Sequence, residues 1–178
     1  FSMGLFLDQR NNRKELSELR LPVAKALNLF CYTGGFSVYL AKRGIQTENI
    51  DVSKVALDWA EENFQKNEIN TTEHRFLKVD ALQWLKKENQ YGLVILDPPS
   101  FSRSKNGVFQ IEKHLAMIIE KGFSRVAPGG YLFFSTNYEG WKKGTPSQQI
   151  KGILKDKKAF VVKSSEVPIN CILIRKGN

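Results

Sequence analysis

Short apolar runs that alternate with segments of helical spacing constrain this chain most, because only a few architectures bury both kinds of element at once. Residues Ala26 to Cys31 predict a strand that runs into Tyr32-Thr33-Gly34-Gly35. Phe36, Val38, Tyr39, Leu40 and Ala41 then recur as one face of a helix ending near Gly44. A weaker strand ends at Ile50-Asp51, and Ser53 is placed to cap a helix with Val55, Ala56, Trp59, Ala60 and Phe64 at helical spacing. Arg75 to Val79 predicts a third strand, Leu82 to Lys87 a short helix, and Leu93 to Leu96 a fourth strand stopped by Pro98-Pro99. Ile111 to Val126 predicts a helix closed by Pro128-Gly129-Gly130, and Tyr131 to Ser135 a fifth strand. The tail from Phe160 to Ile174 predicts two more strands joined near Pro168.

This order implies right-handed crossovers and a mostly parallel sheet covered by helices on both faces, with the last strand pair forming an antiparallel edge. Ligands of such sheets sit beyond the carboxyl ends of the strands, near the point where strand order reverses. The residues to question are therefore Tyr32 to Gly35, Asp51, Asp80, Asp97 to Phe101, and Ser135 to Asn137. With 178 residues and 42% hydrophobic content the chain is expected to form one domain, residues 1–178. Because no apolar run reaches the roughly 18 residues of a membrane span, and Phe1-Ser2-Met3-Gly4 does not read as a signal peptide, a cytoplasmic protein is expected. Cys31 and Cys171 lie in apolar runs without neighbours at metal-ligand spacing, so buried reduced thiols and no metal are expected. The net charge of +9 favours an anionic partner and nucleic acid in particular, although any one basic cluster also suits a solvated helix face.

The strand ends differ in how much they specify. Gly34 and Gly35 allow backbone amides close to a ligand, but two glycines also suit any tight turn, and Cys31 and Phe36 interrupt the dinucleotide fingerprint. Asp51 can accept hydrogen bonds from ribose hydroxyls or cap a helix; Asp80, followed by Ala81, can contact an adenine or cap a helix. Asp97-Pro98-Pro99-Ser100-Phe101 is the most specific feature. Two prolines after a buried strand fix a loop whose carbonyls are free to face a substrate, and Phe101 offers a surface for a stacked base or for the core.

The segments Gly4-Leu5-Phe6-Leu7-Asp8-Gln9-Arg10, Leu27-Asn28-Leu29-Phe30-Cys31-Tyr32-Thr33-Gly34-Gly35, Asp51-Val52-Ser53, Leu57-Asp58-Trp59-Ala60 and Asp97 to Lys105 resemble successive motifs of large-subunit (23S) ribosomal RNA methyltransferases. The likeness is greatest to the guanine-7-methylating half of the bifunctional enzymes, and it starts inside a motif at Gly4, as one domain of a longer protein would. It implies the α/β, Rossmann-like class I methyltransferase fold: a mostly parallel seven-stranded sheet with an antiparallel edge strand and helices on both faces. It further implies S-adenosylmethionine as cofactor, in a cleft lined by Asp8 and Arg10, by Asn28, Tyr32, Thr33, Gly34 and Gly35 around the methionine moiety, by Asp51 and Val52 at the ribose, by Asp80 and Ala81 at the adenine, and by Asp97 near the methyl group. Gly92 departs from the family, which usually carries an aspartate there.

The resemblance includes enzymes that make 5-methylcytosine, for which a thiolate must add to the ring. The segment where those relatives carry the cysteine reads Ser135-Thr136-Asn137-Tyr138, and neither Cys31 nor Cys171 is expected to reach a base. A guanine ring nitrogen has an in-plane lone pair and needs positioning rather than an obligatory base. This suits a site without a catalytic histidine, since His74 and His114 are expected to be structural. An exocyclic amine is the competing target, with Asp97 and the Pro98 carbonyl as acceptors. The expected roles are Asp97 and Pro98 orienting the base, Phe101 stacking on it, Asn137 adding a polar contact, and Arg103, Lys105, Lys142 and Lys143 holding phosphates. The other classes weighed are methyl transfer to a small molecule or protein, a nucleotide-binding oxidoreductase, and a non-catalytic RNA-binding module of the same fold. The sequence leaves the oligomeric state open.

Overall fold

The structure is a computed structural model that describes residues 4–104, 107–165 and 170–178. Its main sheet takes β1 (Lys25–Leu29), β2 (Gln46–Asp51), β3 (Arg75–Lys78), β4 (Tyr91–Leu96), β7 (Val126–Thr136), β8 (Ala159–Ser165) and β9 (Asn170–Lys176) in the order β3-β2-β1-β4-β7-β9-β8. The five strands from β3 to β7 pair in parallel, while β9 runs antiparallel to both β7 and β8. Chain order reverses between β1 and β4, so the crevice opens above their carboxyl ends.

The two faces of the sheet read directly from residue parity. Leu27, Leu29, Val94, Leu96, Leu132, Phe134, Ile172 and Ile174 point into one core, shared with α4 (Ala81–Trp84), α5 (Ile111–Ser124) and α6 (Pro146–Ile153). Ala26, Leu93, Ile95, Phe133 and Leu173 point into the other, where α1 (Arg10–Ser17) and α2 (Gly35–Ala41) pack. The fully buried β4, which makes parallel pairs on both edges, accounts for its unbroken apolar run. Helix α3 (Lys54–Lys66) begins at Ser53, whose side chain accepts from Ala56 N as the cap residue type predicts. Its buried face is Ala56, Leu57, Ala60 and Phe64, whereas Val55 and Trp59 of the expected face are exposed.

Several boundaries depart from expectation. The helix expected at Leu82 to Lys87 is a single turn over Ala81–Trp84. Helix α5 stops at Ser124, and Pro128-Gly129-Gly130 lies inside β7, where the ladder shifts register between Tyr91 and Leu93 instead of ending a helix. Three elements were not expected: α1, α6, and a separate hairpin of β5 (Phe101–Ser104) and β6 (Gly107–Gln110) after the double proline. The joint near Pro168 and the phosphate candidate Lys105 lie outside the described residues. At Gly92 a Cβ would stand 2.1 Å from the Val23 carbonyl oxygen, so the incoming 21–23 segment crosses too closely for any side chain. No helix among the described residues is long and apolar enough to cross a membrane.

Candidate active site

A cleft of about 560 Å³ lies above the carboxyl ends of β1, β2 and β4, a volume suited to a nucleoside-sized ligand. The turn after β1 forms its floor. Phe30 and Tyr32 both hold positive φ (59° and 49°), and Gly34 at φ 74° starts α2, so the backbone doubles back sharply around Cys31. Gly34 also has no room for more: a Cβ there would sit 3.0 Å from that of Ala60. Neighbouring side chains pin the turn. Asn28 donates to Ser37 Oγ at 2.9 Å, Asn63 donates to the Thr33 carbonyl at 2.9 Å, and the Thr33 hydroxyl donates to the Gly4 carbonyl.

Asp51 ends β2 with both oxygens engaged, Oδ2 accepting from Tyr32 N at 3.0 Å and Oδ1 from Ser53 N at 2.9 Å. It therefore braces the glycine turn and the start of α3 while facing the cleft. Asp80 caps α4 by accepting from Leu82 N at 2.9 Å, and it lines the cleft together with Ala81. For both aspartates the capping and cleft-facing readings hold together, since each carboxylate has acceptor capacity beyond its backbone bonds.

Asp97 follows β4, half-buried, and accepts from Ser135 Oγ at 2.6 Å. Burial pushes its pKa up to about 6; the Ser135 hydrogen bond opposes this, the Asp8 charge adds to it and the Arg13 charge offsets it. Pro98, Ser100, Phe101 and Asn137 border the same cleft. Phe101 is 47% exposed, with the Arg103 guanidinium 5.4 Å from its ring centre, so it is a surface aromatic on the hairpin and not a core residue.

Of the residues expected at the cofactor, Asp8, Asn28, Tyr32, Thr33, Gly35, Asp51, Val52, Asp80, Ala81 and Asp97 line the cleft, and Gly34 shapes the turn behind it. Arg10 does not: it is exposed on the outer side of α1. Arg13, one turn later and 3% exposed, takes the inward position with Gln9, because positions 9, 12, 13, 16 and 17 form the buried face. Cys31, buried in the turn after β1, borders the cleft, and burial and the Asp51 charge push its thiol well above the ordinary range, so it stays protonated. Cys171 is buried against Asn12 and is not one of the residues that line the cleft.

His74 accepts from Thr47 N at 3.1 Å and packs edge-on against Phe64, and His114 binds the Gln110 backbone and stacks on Phe109, so both are structural. Lys142 and Lys143 are exposed beyond β7, with Lys142 N donating to Glu112 on α5. Among the described residues no group of three or more His, Cys, Asp or Glu could hold a metal ion.

Comparison with known proteins identifies what this architecture carries. A family model of S-adenosylmethionine-dependent methyltransferases matches residues 1–141. A Ribosomal RNA large subunit methyltransferase K/L from Legionella pneumophila (strain Paris) is 41% identical over 142 residues, covering 78% of this chain and 20% of the relative. A Ribosomal RNA large subunit methyltransferase K from Neisseria meningitidis serogroup B is 39% identical over 141 residues, covering 75% of this chain and 40% of the relative. The chain thus spans between one fifth and two fifths of the length of these curated relatives. The crystal structure of SMU.776, assigned as a methyltransferase and complexed with SAH, superposes with a TM-score of 0.87 at 26% identity, over 97% of this chain and 50% of that one. The cofactor of such a site is S-adenosylmethionine, and the cleft volume, the paired glycines and the Asp51 carboxylate fit it. By the match over residues 1–141, carried by the turn and strand ends just described, the chain belongs to the S-adenosylmethionine-dependent methyltransferases.

Proposed function

We propose that residues 1–178 form one catalytic domain that methylates an RNA base in the cytoplasm, most specifically a guanine ring nitrogen of 23S ribosomal RNA. The observation that carries this reading is the Asp97 to Phe101 turn, which sets a half-buried carboxylate and an exposed aromatic ring on the rim of one cleft. The net charge of +9 favours a polyanionic substrate, and the relatives at about 40% identity are named for large-subunit ribosomal RNA.

S-adenosylmethionine supplies a methyl group on a positively charged sulfur. Asp51 holds the ribose hydroxyls with the acceptor capacity left by Tyr32 N and Ser53 N, while Val52, Asp80 and Ala81 flank the adenine. Asn28 and the Tyr32 to Gly35 turn surround the amino-acid arm, with Asp8 beside them. Asp97 and the Pro98 carbonyl orient the edge of the target base, Asn137 adds a polar contact, and Phe101 stacks against its face, a contact worth about 1–3 kcal/mol. Above pH about 6 Asp97 is ionised and accepts hydrogen bonds from the base edge, so turnover rises with pH through that value. A ring nitrogen attacks with its own lone pair, and the protein contributes position and field instead of removing a proton. Arg103, Lys142 and Lys143 hold phosphates on either side.

The test is transfer of labelled methyl from S-adenosylmethionine to separate pools of ribosomal RNA, transfer RNA and protein, followed by nucleoside analysis. The expected product is 7-methylguanosine in ribosomal RNA. Label in protein alone, or as 5-methylcytidine, overturns the reading.

A further inference from the structure

The far edge of the sheet is basic and bare. Residues 151–165 hold five lysines and one aspartate, and on the edge strand β8 every residue from Phe160 to Ser164 is exposed. Phe160 is 62% exposed, more than any other aromatic residue described. It pairs with Arg175 of β9, which in turn pairs with Tyr131 of β7, so the three side chains form a row across one sheet face. Helix α1 covers this face at Cys171 and Leu173 but leaves Arg175 and Phe160 open. A Cβ at Gly177 would stand 3.0 Å from Lys158 Cβ and 3.1 Å from the Phe160 ring, so the lysine stem and the ring flank each other over bare backbone. Lys157, Lys158 and Arg175 make no ion pair among the described residues; Lys158 donates to the Asn178 carbonyl and Arg175 to that of Gly129.

An exposed ring among such cations suits few partners. Strand addition from another chain is disfavoured, because the β8–β9 ladder shifts register between Val161 and Lys163, and Lys163 is held by Glu15; a bulge and an edge lysine both blunt pairing. A polyanion matches the charge, and a flat ring adds affinity when that polyanion carries aromatic faces of its own, as an unpaired nucleobase does. In a duplex those faces are already stacked on one another. The place also suits a strand that enters the cleft: from Tyr131 to Thr136, next to the cleft residue Asn137, is five residues along β7, about 17 Å.

We propose that this corner of the sheet binds an unpaired segment of the RNA substrate, with a base stacked on Phe160 and its flanking phosphates on Lys157, Lys158 and Arg175. The inference rests on RNA being the substrate and not on which base is methylated. The test is fluorescence anisotropy of a labelled single-stranded RNA of ribosomal sequence, beside S-adenosylhomocysteine affinity and labelled methyl transfer for the same preparations. Phe160→Ala weakens RNA binding about fivefold or more, while Phe160→Trp keeps it. Lys157→Glu with Lys158→Glu reduces the slope of log affinity against log salt by about 0.7 for each lost phosphate contact. S-adenosylhomocysteine affinity stays at the wild-type value in all three, which reports an intact fold. If the wild type binds and methylates RNA and Phe160→Ala binds it equally well, the inference fails and the functional reading stands. A wild type that binds no RNA and transfers methyl only to protein overturns both. A wild-type dimer that Phe160→Ala dissociates, with RNA affinity unchanged, gives this corner to a second copy of the chain and overturns the inference.

Discussion

The two ends of the parallel sheet treat buried charge in opposite ways. At the amino-terminal end, Glu48 on β2 is 1% exposed and accepts from Lys25 at 2.8 Å, from the Tyr91 hydroxyl at 2.6 Å and from Arg75 at 3.4 Å. Burial works to raise its pKa, but the Lys25 and Tyr91 hydrogen bonds and the charges of Lys25 and Arg75 outweigh it and hold it below the ordinary value. Tyr91 is pushed to about 12, first by burial and then by its bond to Glu48. At the carboxyl end, Asp97 accepts from a single side-chain donor among the described residues and has a raised pKa, and Arg13 donates to the Phe6 carbonyl. One end spends its polar groups on itself; the other keeps them incompletely matched, as a site prepared for ligands does.

Mutations at the two ends should separate accordingly. Glu48→Leu strands Lys25 and Tyr91 without their acceptor and is expected to lower stability by about 3–5 kcal/mol, read by chemical denaturation, while S-adenosylhomocysteine affinity of the folded fraction is unchanged. Because the folded pKa of Glu48 is depressed, its contribution is present above pH 4.5 and is lost as pH falls through the folded value, so wild type and variant should converge in acid.

Asp97→Asn should do the reverse. The folded pKa of about 6 lies above the ordinary value of 3.8, so the native state binds the proton more tightly than the unfolded chain, and stability falls as pH rises through that window. Above pH 6 the asparagine variant is expected to be more stable than wild type, by about 3 kcal/mol at most, and the gap should close below pH 4. Thermal unfolding across pH reads it; a variant less stable than wild type at neutral pH would erase the contrast.

Smaller effects refine the upper end. Ser135→Ala removes the donor that lowers the Asp97 pKa, so the acidic limb of the pH–turnover profile should move upward from about 6, with a loss of a few-fold at neutral pH. Paired Arg103→Glu and Lys142→Glu should reduce the slope of log affinity for single-stranded RNA against log salt by about 0.7 for each lost phosphate contact.

The strands and the glycine turn were legible because burial on both faces writes itself as apolar runs, as in Leu93 to Leu96. Helix α1 was not, because its inward face is Asn12, Arg13, Leu16 and Ser17, and a hydrophobic pattern cannot register a helix that buries polar side chains beside a cleft. Arg10 was expected from the resemblance alone, whereas the spacing of Gln9, Arg13 and Leu16 marks Arg13 as the inward arginine of this helix. Helix α6 did leave a signal, since Thr145 and Gln148 form a capping box with Pro146 in the first turn. The hairpin after Pro98-Pro99 left little, because Ser102-Arg103-Ser104 lacks the β-branched and aromatic residues that mark a strand. Gly92 could be read from sequence only as a missing side chain; the close passage of Val23 explains it.

Asp97 is the residue on which the contrast between the two ends turns most sharply. Single-turnover methyl transfer to ribosomal RNA should be measured for Asp97→Ala beside S-adenosylhomocysteine affinity for the same preparation. The expected result is a turnover loss of about 10²-fold or more with affinity within a few-fold of wild type. Turnover near the wild-type rate would contradict the assignment of the carboxyl end as the site of transfer through Asp97.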